Sequence, residues 1–357
     1  MRIPYGRLML LILTGCILGL GIRFYGNLKM FSGTAGFYYK EDMITREQVQ
    51  DFWKEASPET QREVQDIVLF RSKSGEEMFN PNLNRTVKGE VIEVAGNMHL
   101  IMPGSLMMGS FVSDSDDRGC VISRKTAEEL YSSYEVLGNV VRMENKNYYI
   151  RGILDVNYEL CMIQGESAVA YPKIRVDAPR LPLSVMEQQL AGILPAEYDK
   201  ISEGDLYQGI GGILFWIPGW VLLYFIIGYC RKGLKILAAK EWNHGWQIRV
   251  LEILKWGLII LAFAGSCGIL LTSLHFSDDY IPSAWSDFSF WIELFEGKWG
   301  EFLNLLGGRL LYCDGKMLGN LAGVAVTSIV EGFLIGIGAQ GLMKKILQPL
   351  ETIERDC

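Results

Sequence analysis

Histidine is scarce in this chain: His99, His244 and His275 are the only three among 357 residues. Seven cysteines are scattered without a CxxC pair or a Cys/His cluster, so a structural zinc site is not expected. No HExxH, GxSxG or phosphate-loop run occurs, which removes the usual signatures of metalloproteases, α/β-hydrolases and nucleotide-driven enzymes. The Gly-Lys steps Gly297-Lys298 and Gly315-Lys316 lack the upstream glycine and following Ser or Thr that cradle phosphate. The chain is therefore expected to be no enzyme and to carry no metal or cofactor of its own. If ATP drives it, another chain binds the nucleotide. Positive charge is also short, with 34 Lys and Arg against 41 Asp and Glu, a net of -7, so nucleic acid is not an expected partner.

Hydrophobic residues make up 49%, near the soluble average, so bulk composition does not announce a membrane. Their distribution does. Spanning a bilayer core takes roughly 20 apolar residues in a helix. Ile210 to Cys230 has no charge, Trp256 to Phe276 has His275 as its one ionisable side chain apart from Cys267, and Met317 to Met343 carries only Glu331. Leu8 to Ile22 is shorter and lies between Arg7 and Arg23, whose side chains can snorkel. Leu13-Thr14-Gly15-Cys16 fits a lipobox, but the apolar run continues through Ile22, so an uncleaved anchor is the reading.

Basic residues near the helix ends set the orientation. Segment 231–255 holds 6 basic and 2 acidic residues, segment 24–209 holds 19 and 28, and segment 277–316 holds 3 and 7. Arg2 and Arg7 precede the first block, and Lys344-Lys345 follow the last. The expected plan is a multi-pass membrane protein with four transmembrane α-helices. An α+β extracytoplasmic domain is inserted between helices 1 and 2. Its parts are an anchor at 1–23, the domain at 24–209, helices at 210–230, 256–276 and 317–343, an inner segment 231–255, an outer loop 277–316 and a tail 344–357. Both termini are then cytoplasmic.

Within 24–209, Thr45 with Gln48 reads as a capping box opening a helix, and Ser57-Pro58 as a second helix start. Asp66 to Arg71 and Val87 to Val94 read as strands, and Ser123 to Tyr131 as a short helix preceded by apolar Cys120 to Ile122. Val140 to Met143, a turn over Glu144 to Asn147, and Tyr148 to Ile153 read as a hairpin. Ser184 with Glu187 is expected to cap a helix over Val185 to Ile193. Asn84 to Thr86 matches a glycosylation acceptor.

Four phrases in this domain carry a family resemblance: Met102 to Ser113, Cys120 to Tyr131, Val136 to Val141 and Tyr149 to Leu154. In order and spacing they resemble the periplasmic core domain of MacB-type and FtsX-like ABC transporter permeases. Gly109, Ala127, Leu130, Tyr131, Leu137, Gly138, Gly152 and Ile153 fall on that family's pattern. These residues are expected to be structural: Gly138 for a turn with positive φ, Gly152 for a close strand contact, Leu130 and Tyr131 for core. The anchor, domain and three-helix plan is also that of the family.

The resemblance implies a bacterial inner-membrane permease that dimerises with itself or a sister chain and works with a separate cytoplasmic ATPase carrying ATP and Mg. Motion of that ATPase would pass through the membrane to the domain, for export of a peptide, drug or lipoprotein. Alternatives are an FtsX-like regulator of an extracellular cell-wall hydrolase and a stand-alone receptor or sensor. By resemblance 231–255 holds the ATPase-docking helix, with Leu234, Ile236, Leu237 and Trp242 as its apolar face, although the family's usual Glu-Ile-Gly phrase is missing. The alternative there is a loop with Trp242, Trp246 and Trp256 as headgroup anchors.

The outer loop is longer than the family's. Phe288, Trp291, Ile292, Phe295, Trp299, Phe302, Leu303 and Leu306 recur at helical spacing, with Glu293, Glu296, Lys298 and Glu301 off the stripe. This reads either as a helix packed beneath the domain or as one touching membrane lipid. Glu331, inside the last apolar block among Gly323, Gly332, Gly336 and Gly338, is expected at a helix contact. Cys120 and Cys161, both outside, could pair as a disulfide in an oxidising compartment.

Overall fold

The structure is a computed structural model describing residues 5–166, 169–179, 181–195, 197–239, 278–280, 288–307 and 310–353, with scattered residues between 250 and 268. The chain divides into two units. One comprises Met1–Phe31, Asp205–Phe276 and Met317–Cys357, the other Ser32–Gly204 and Ser277–Lys316.

The first unit is helical. Among the described residues three helices have segments long and apolar enough to cross a membrane: Leu8–Phe31, Gly204–Tyr229 and Tyr312–Gln340. The α-helices run over Tyr5–Leu28, followed by a 3-10 turn at Lys29–Phe31, and over Gly204–Ala239 and Tyr312–Ile353, the last two continuing past their apolar stretches. Most of block 256–276 lies outside the described residues.

Contacts inside this unit use small residues, as expected where packing rather than water exclusion holds helices together. A Cβ on Gly323 would sit 2.7 Å from the Phe24 ring, and one on Gly211 would sit 2.3 Å from Leu28. Gly332 faces Val221 and Gly336 faces Phe225. Tyr25 stacks on Phe215 at 5.1 Å.

The second unit is a mixed α/β domain. Its strands are β1 Thr34–Tyr38, β2 Ile44–Thr45, β3 Asp66–Asn80, β4 Arg85–Ala95, β5 Leu106–Gly109, β6 Gly119–Ser123, β7 Val140–Met143, β8 Lys146–Leu154, β9 Leu160–Gln164, β10 Ala170–Tyr171, β11 Lys173–Asp177 and β12 Lys200–Glu203. The main sheet runs β12-β1-β11-β3-β4-β9-β6-β8-β5, with β7 beside β3 and β8, while β2 and β10 form a separate pair. Pairing is antiparallel except for β4 with β9 and β6 with β8. The β3–β4 hairpin is the spine: the first part of β3 pairs β11 and its far end reaches β7.

Two apolar cores lie along that spine. One gathers Phe37, Ile44, Leu69, Ile174, Val176, Met186 and Ile201. The other gathers Met78, Val91, Ile122, Leu130, Val141, Ile150 and Cys161.

Local chemistry explains several elements. Thr45 and Gln48 close both hydrogen bonds of the capping box at helix Arg46–Glu55. Ser57 Oγ accepts from Thr60 N at the start of helix Thr60–Glu63. Ser123 caps helix Arg124–Tyr131. The β7–β8 turn is tighter than the four residues expected, because Glu144 and Asn145 both take positive φ, giving a two-residue hairpin turn.

Ser184 is not a cap. Helix Leu183–Gln189 begins after Pro182, and Ser184 instead hydrogen-bonds Asp279 through its backbone N–H (3.0 Å) and hydroxyl. Strand β3 overruns the expected Arg71 because its polar continuation, Ser72 to Glu77, forms the hairpin arm.

Candidate functional site

Among the described residues of the domain, two clusters of buried charge lie beside the chain's entry into an apolar helix. The first is built on β1, β11 and β12. Arg175, Gly36 and Ser202 form one cross-strand row, since Gly36 pairs with both of the others. Alternation sends Ile174 and Val176 into the apolar core and Arg175 to the opposite face. Thr34 and Tyr38 share that face with Gly36, two residues to either side. Gly36 cannot carry a side chain, because a Cβ would lie 2.6 Å from the Tyr38 hydroxyl crossing over it.

Asp314, near the start of helix Tyr312–Ile353, lands on this polar face. Its Oδ2 accepts from the Tyr38 hydroxyl at 2.8 Å, and its Oδ1 from Ser202 Oγ at 2.6 Å and Arg175 at 3.4 Å. Arg175 also donates to Thr34 Oγ1 at 3.1 Å and to Cys313 Sγ at 3.0 Å. The side chains of Arg175 and Asp314 are each 1% exposed. Among the described residues Arg175 Nε has no hydrogen-bond partner. Burial alone would lower the Arg175 pKa, but the charges of its neighbours, Asp314 included, outweigh it and hold the group above its ordinary value. Burial, reinforced by Asp314, pushes the Tyr38 phenol well above its ordinary range, so it stays a donor at any working pH.

The second cluster surrounds Glu203, the last residue of β12, immediately before helix Gly204–Ala239. Glu203 is buried, accepts from the Tyr280 hydroxyl and pairs with Lys298 at 3.4 Å. Lys298 also pairs with Glu301 at 2.9 Å. Burial raises the Glu203 pKa, opposed in part by Lys298 and the Tyr280 hydroxyl. Burial also pulls the Lys298 pKa down, but Glu203 and Glu301 outweigh it and leave the group above its ordinary value.

Each cluster ties strand ends of the sheet to the start of a helix or to helix Phe288–Leu306. Among the described residues no group of three or more His, Cys, Asp or Glu is placed to hold a metal ion.

The residues singled out from sequence lie elsewhere. Leu234, Ile236 and Leu237 fall within helix Gly204–Ala239, while Trp242 lies outside the described residues. Glu331 is buried in the helical unit. Phe288, Trp291, Ile292, Phe295, Trp299 and Phe302 all lie on one helix, Phe288–Leu306, which belongs to the domain's unit. Cys120 and Cys161 are buried free thiols on the adjacent strands β6 and β9.

Of the positions that carry the resemblance, four are built into the domain's packing, whereas Leu137 is 43% exposed. Gly138 has φ +81°, and a Cβ on Gly152 would meet Ser110 O at 2.5 Å. Leu130 is fully buried, and the Tyr131 hydroxyl donates to Val140 O at 2.7 Å. Arg175, Asp314, Tyr38, Ser202, Glu203 and Tyr280 were not foreseen. The available hint was a charged residue between two apolar ones, Ile174-Arg175-Val176, and nothing in the sequence paired it with Asp314.

No protein-family model matches the sequence, and no curated protein does. Among solved structures, the periplasmic region of MacB from Actinobacillus actinomycetemcomitans is similar with a TM-score of 0.40 at 12% identity, covering 49% of this chain and 91% of that one. The extracellular domain of the noncanonic ABC-type transporter YknZ from Gram-positive bacteria is similar with a TM-score of 0.35 at 16% identity, covering 44% of this chain and 88% of that one. A likeness of this degree does not bear on function.

Proposed function

We propose that this chain is the permease subunit of a MacB-like ABC transporter. In this reading the acidic domain stands outside the bacterial inner membrane. A separate cytoplasmic ATPase, holding ATP and Mg, drives a homodimer or a pairing with a sister permease. Movement of the membrane helices passes to the domain, which handles a peptide, drug or lipoprotein.

The observation that carries this reading is the pair of buried joints. Strand β12 runs into helix Gly204–Ala239 with no linker, and Glu203 is tied down at that junction. The first turn of helix Tyr312–Ile353 is fixed by Asp314 to three strands of the same sheet. These bonds all lie within the domain's own unit, and in this proposal they are the points at which displacement of the helices would reach the sheet. The ordered permease-like phrases support a partner ATPase, and the excess of basic residues in 231–255 supports placing that segment inside.

Isolation of the full chain from its native membrane in mild detergent tests this. An ATP-binding subunit is expected to co-purify, with an ATP hydrolysis rate that changes when Asp314→Asn loosens the joint. Recovery of the chain with no ATP-binding protein would contradict the proposal and favour a stand-alone receptor.

A further inference from the structure

Helix Phe288–Leu306 is oriented opposite to an ordinary surface helix. At about 100° per residue its side chains divide into three sectors. Leu294, Lys298, Glu301 and Leu305 share one sector, which faces the domain: Leu305 is buried and Lys298 reaches Glu203. Glu293, Glu296 and Asn304 occupy a second, exposed sector. Phe288, Ile292, Phe295, Trp299, Leu303 and Leu306 fill the third, and all are exposed, Phe288 at 76%, Phe295 at 69% and Trp299 at 52%. The helix thus turns its lysine inward and its largest apolar side chains outward. A helix in water would bury the aromatic stripe and expose Lys298.

The chain also limits what can cover that stripe. Five residues separate Leu306 from Tyr312, where a membrane-crossing segment begins. Fully extended, they and their flanking bonds reach roughly 20 Å. The C-terminal end of the stripe is therefore held within about that distance of a helix made for lipid, at a depth suited to tryptophan and phenylalanine rings.

We propose that the exposed face of helix Phe288–Leu306 lies in the outer-leaflet interface of the bilayer that the chain crosses, its occupant being lipid. The proposal rests on the reading that the chain spans a membrane with its domain outside. Lys298 and Leu305 then hold the helix to the domain while Phe295 and Trp299 hold it to the acyl boundary, giving the domain an apolar attachment to the membrane in addition to its covalent links to the apolar helices. The two exposed glutamates fall in the water-facing sector, so the attachment is apolar rather than electrostatic and is expected to be insensitive to salt.

Nitroxide labelling of the full chain in phosphatidylethanolamine–phosphatidylglycerol vesicles tests this. Labels are placed singly at Phe295→Cys, Trp299→Cys, Glu296→Cys and Val326→Cys, with the unsubstituted chain as background. Val326 lies on the last apolar helix and reports whether that helix is in lipid at all. The expected result is severalfold more collisions with oxygen than with a water-soluble nickel complex at 295, 299 and 326, and the reverse at 296. If 326 reports lipid while 295 and 299 collide with nickel as 296 does, the proposal is overturned and the membrane reading stands. Shielding of 295 and 299 from both reagents would also overturn it, placing protein, such as a second copy, on the stripe. If 326 itself reports water, the membrane reading fails and this proposal fails with it.

Discussion

Glu203 and Arg175 solve the problem of buried charge differently. Arg175 cannot lose its proton in a protein, so it requires Asp314 and accepts hydroxyl and thiol partners for what remains. Among the described residues its Nε has no hydrogen-bond partner. A buried pair of this kind adds little net stability compared with apolar residues, and its contribution is to fix which elements meet. Glu203, by contrast, can titrate, and burial holds its carboxyl above the ordinary range. With the folded pKa above the unfolded one, the folded state binds more protons in the window between the two values. Stability contributed by the protonated form is therefore present below the unfolded pKa and is lost as pH rises through the folded one. Glu203→Gln removes that titration. The expected result is a shallower decline in thermal stability for the variant than for the parent chain as pH rises from the ordinary glutamate range toward neutrality. Parallel decline in both would show that Glu203 is solvated in the folded protein.

At the scale of elements, the joint between the sheet and helix Tyr312–Ile353 makes the sharper prediction. Replacing Arg175 by Met leaves the Asp314 carboxylate buried with only the Tyr38 and Ser202 hydroxyls and the Cys313 thiol as partners. Breaking one side of a buried pair typically costs about 3–5 kcal/mol. For a unit of this size that corresponds to a fall in melting temperature on the order of 10 °C. The double change Arg175→Met with Asp314→Asn removes both charges while retaining an amide oxygen for Tyr38 and Ser202, and is expected to recover most of the loss. Equal destabilisation by the single and double variants would mean that packing, rather than the ion pair, holds the joint.

This scale also separates what sequence reveals from what it hides. The capping box at Thr45, the strand beginning at Asp66, the helix capped by Ser123 and the β7–β8 hairpin were legible because each is specified by residues close in sequence. Strands β1, β11 and β12 were not read. They are four or five residues long, and the polar residues that build the joint, Tyr38, Arg175, Ser202 and Glu203, interrupt the apolar alternation that marks a strand. Both faces of β1 are buried, and on the side that would otherwise meet water Tyr38 bonds Asp314, which belongs to the same unit. The covering residue lies 139 positions from Arg175, a pairing that no local pattern encodes. The stripe on Phe288–Leu306 was legible as a period, but which of its faces meets the domain depended on Lys298 reaching Glu203.

For the molecule as a whole, the proposed arrangement puts the acidic domain on one side of a membrane and segment 231–255 on the other. The assignment follows from where basic residues are concentrated and from three described helices long enough to cross. Both the ATPase partner on one side and the lipid-facing stripe on the other depend on it. The most direct measurement is cysteine labelling with a membrane-impermeant maleimide on intact cells, using the full chain with Glu77→Cys on the exposed hairpin arm or Arg231→Cys beyond the second membrane-crossing segment, each against the unsubstituted background. Labelling is expected at 77 in intact cells and at 231 only after the membrane is opened; labelling at 231 in intact cells with none at 77 would contradict the proposed orientation.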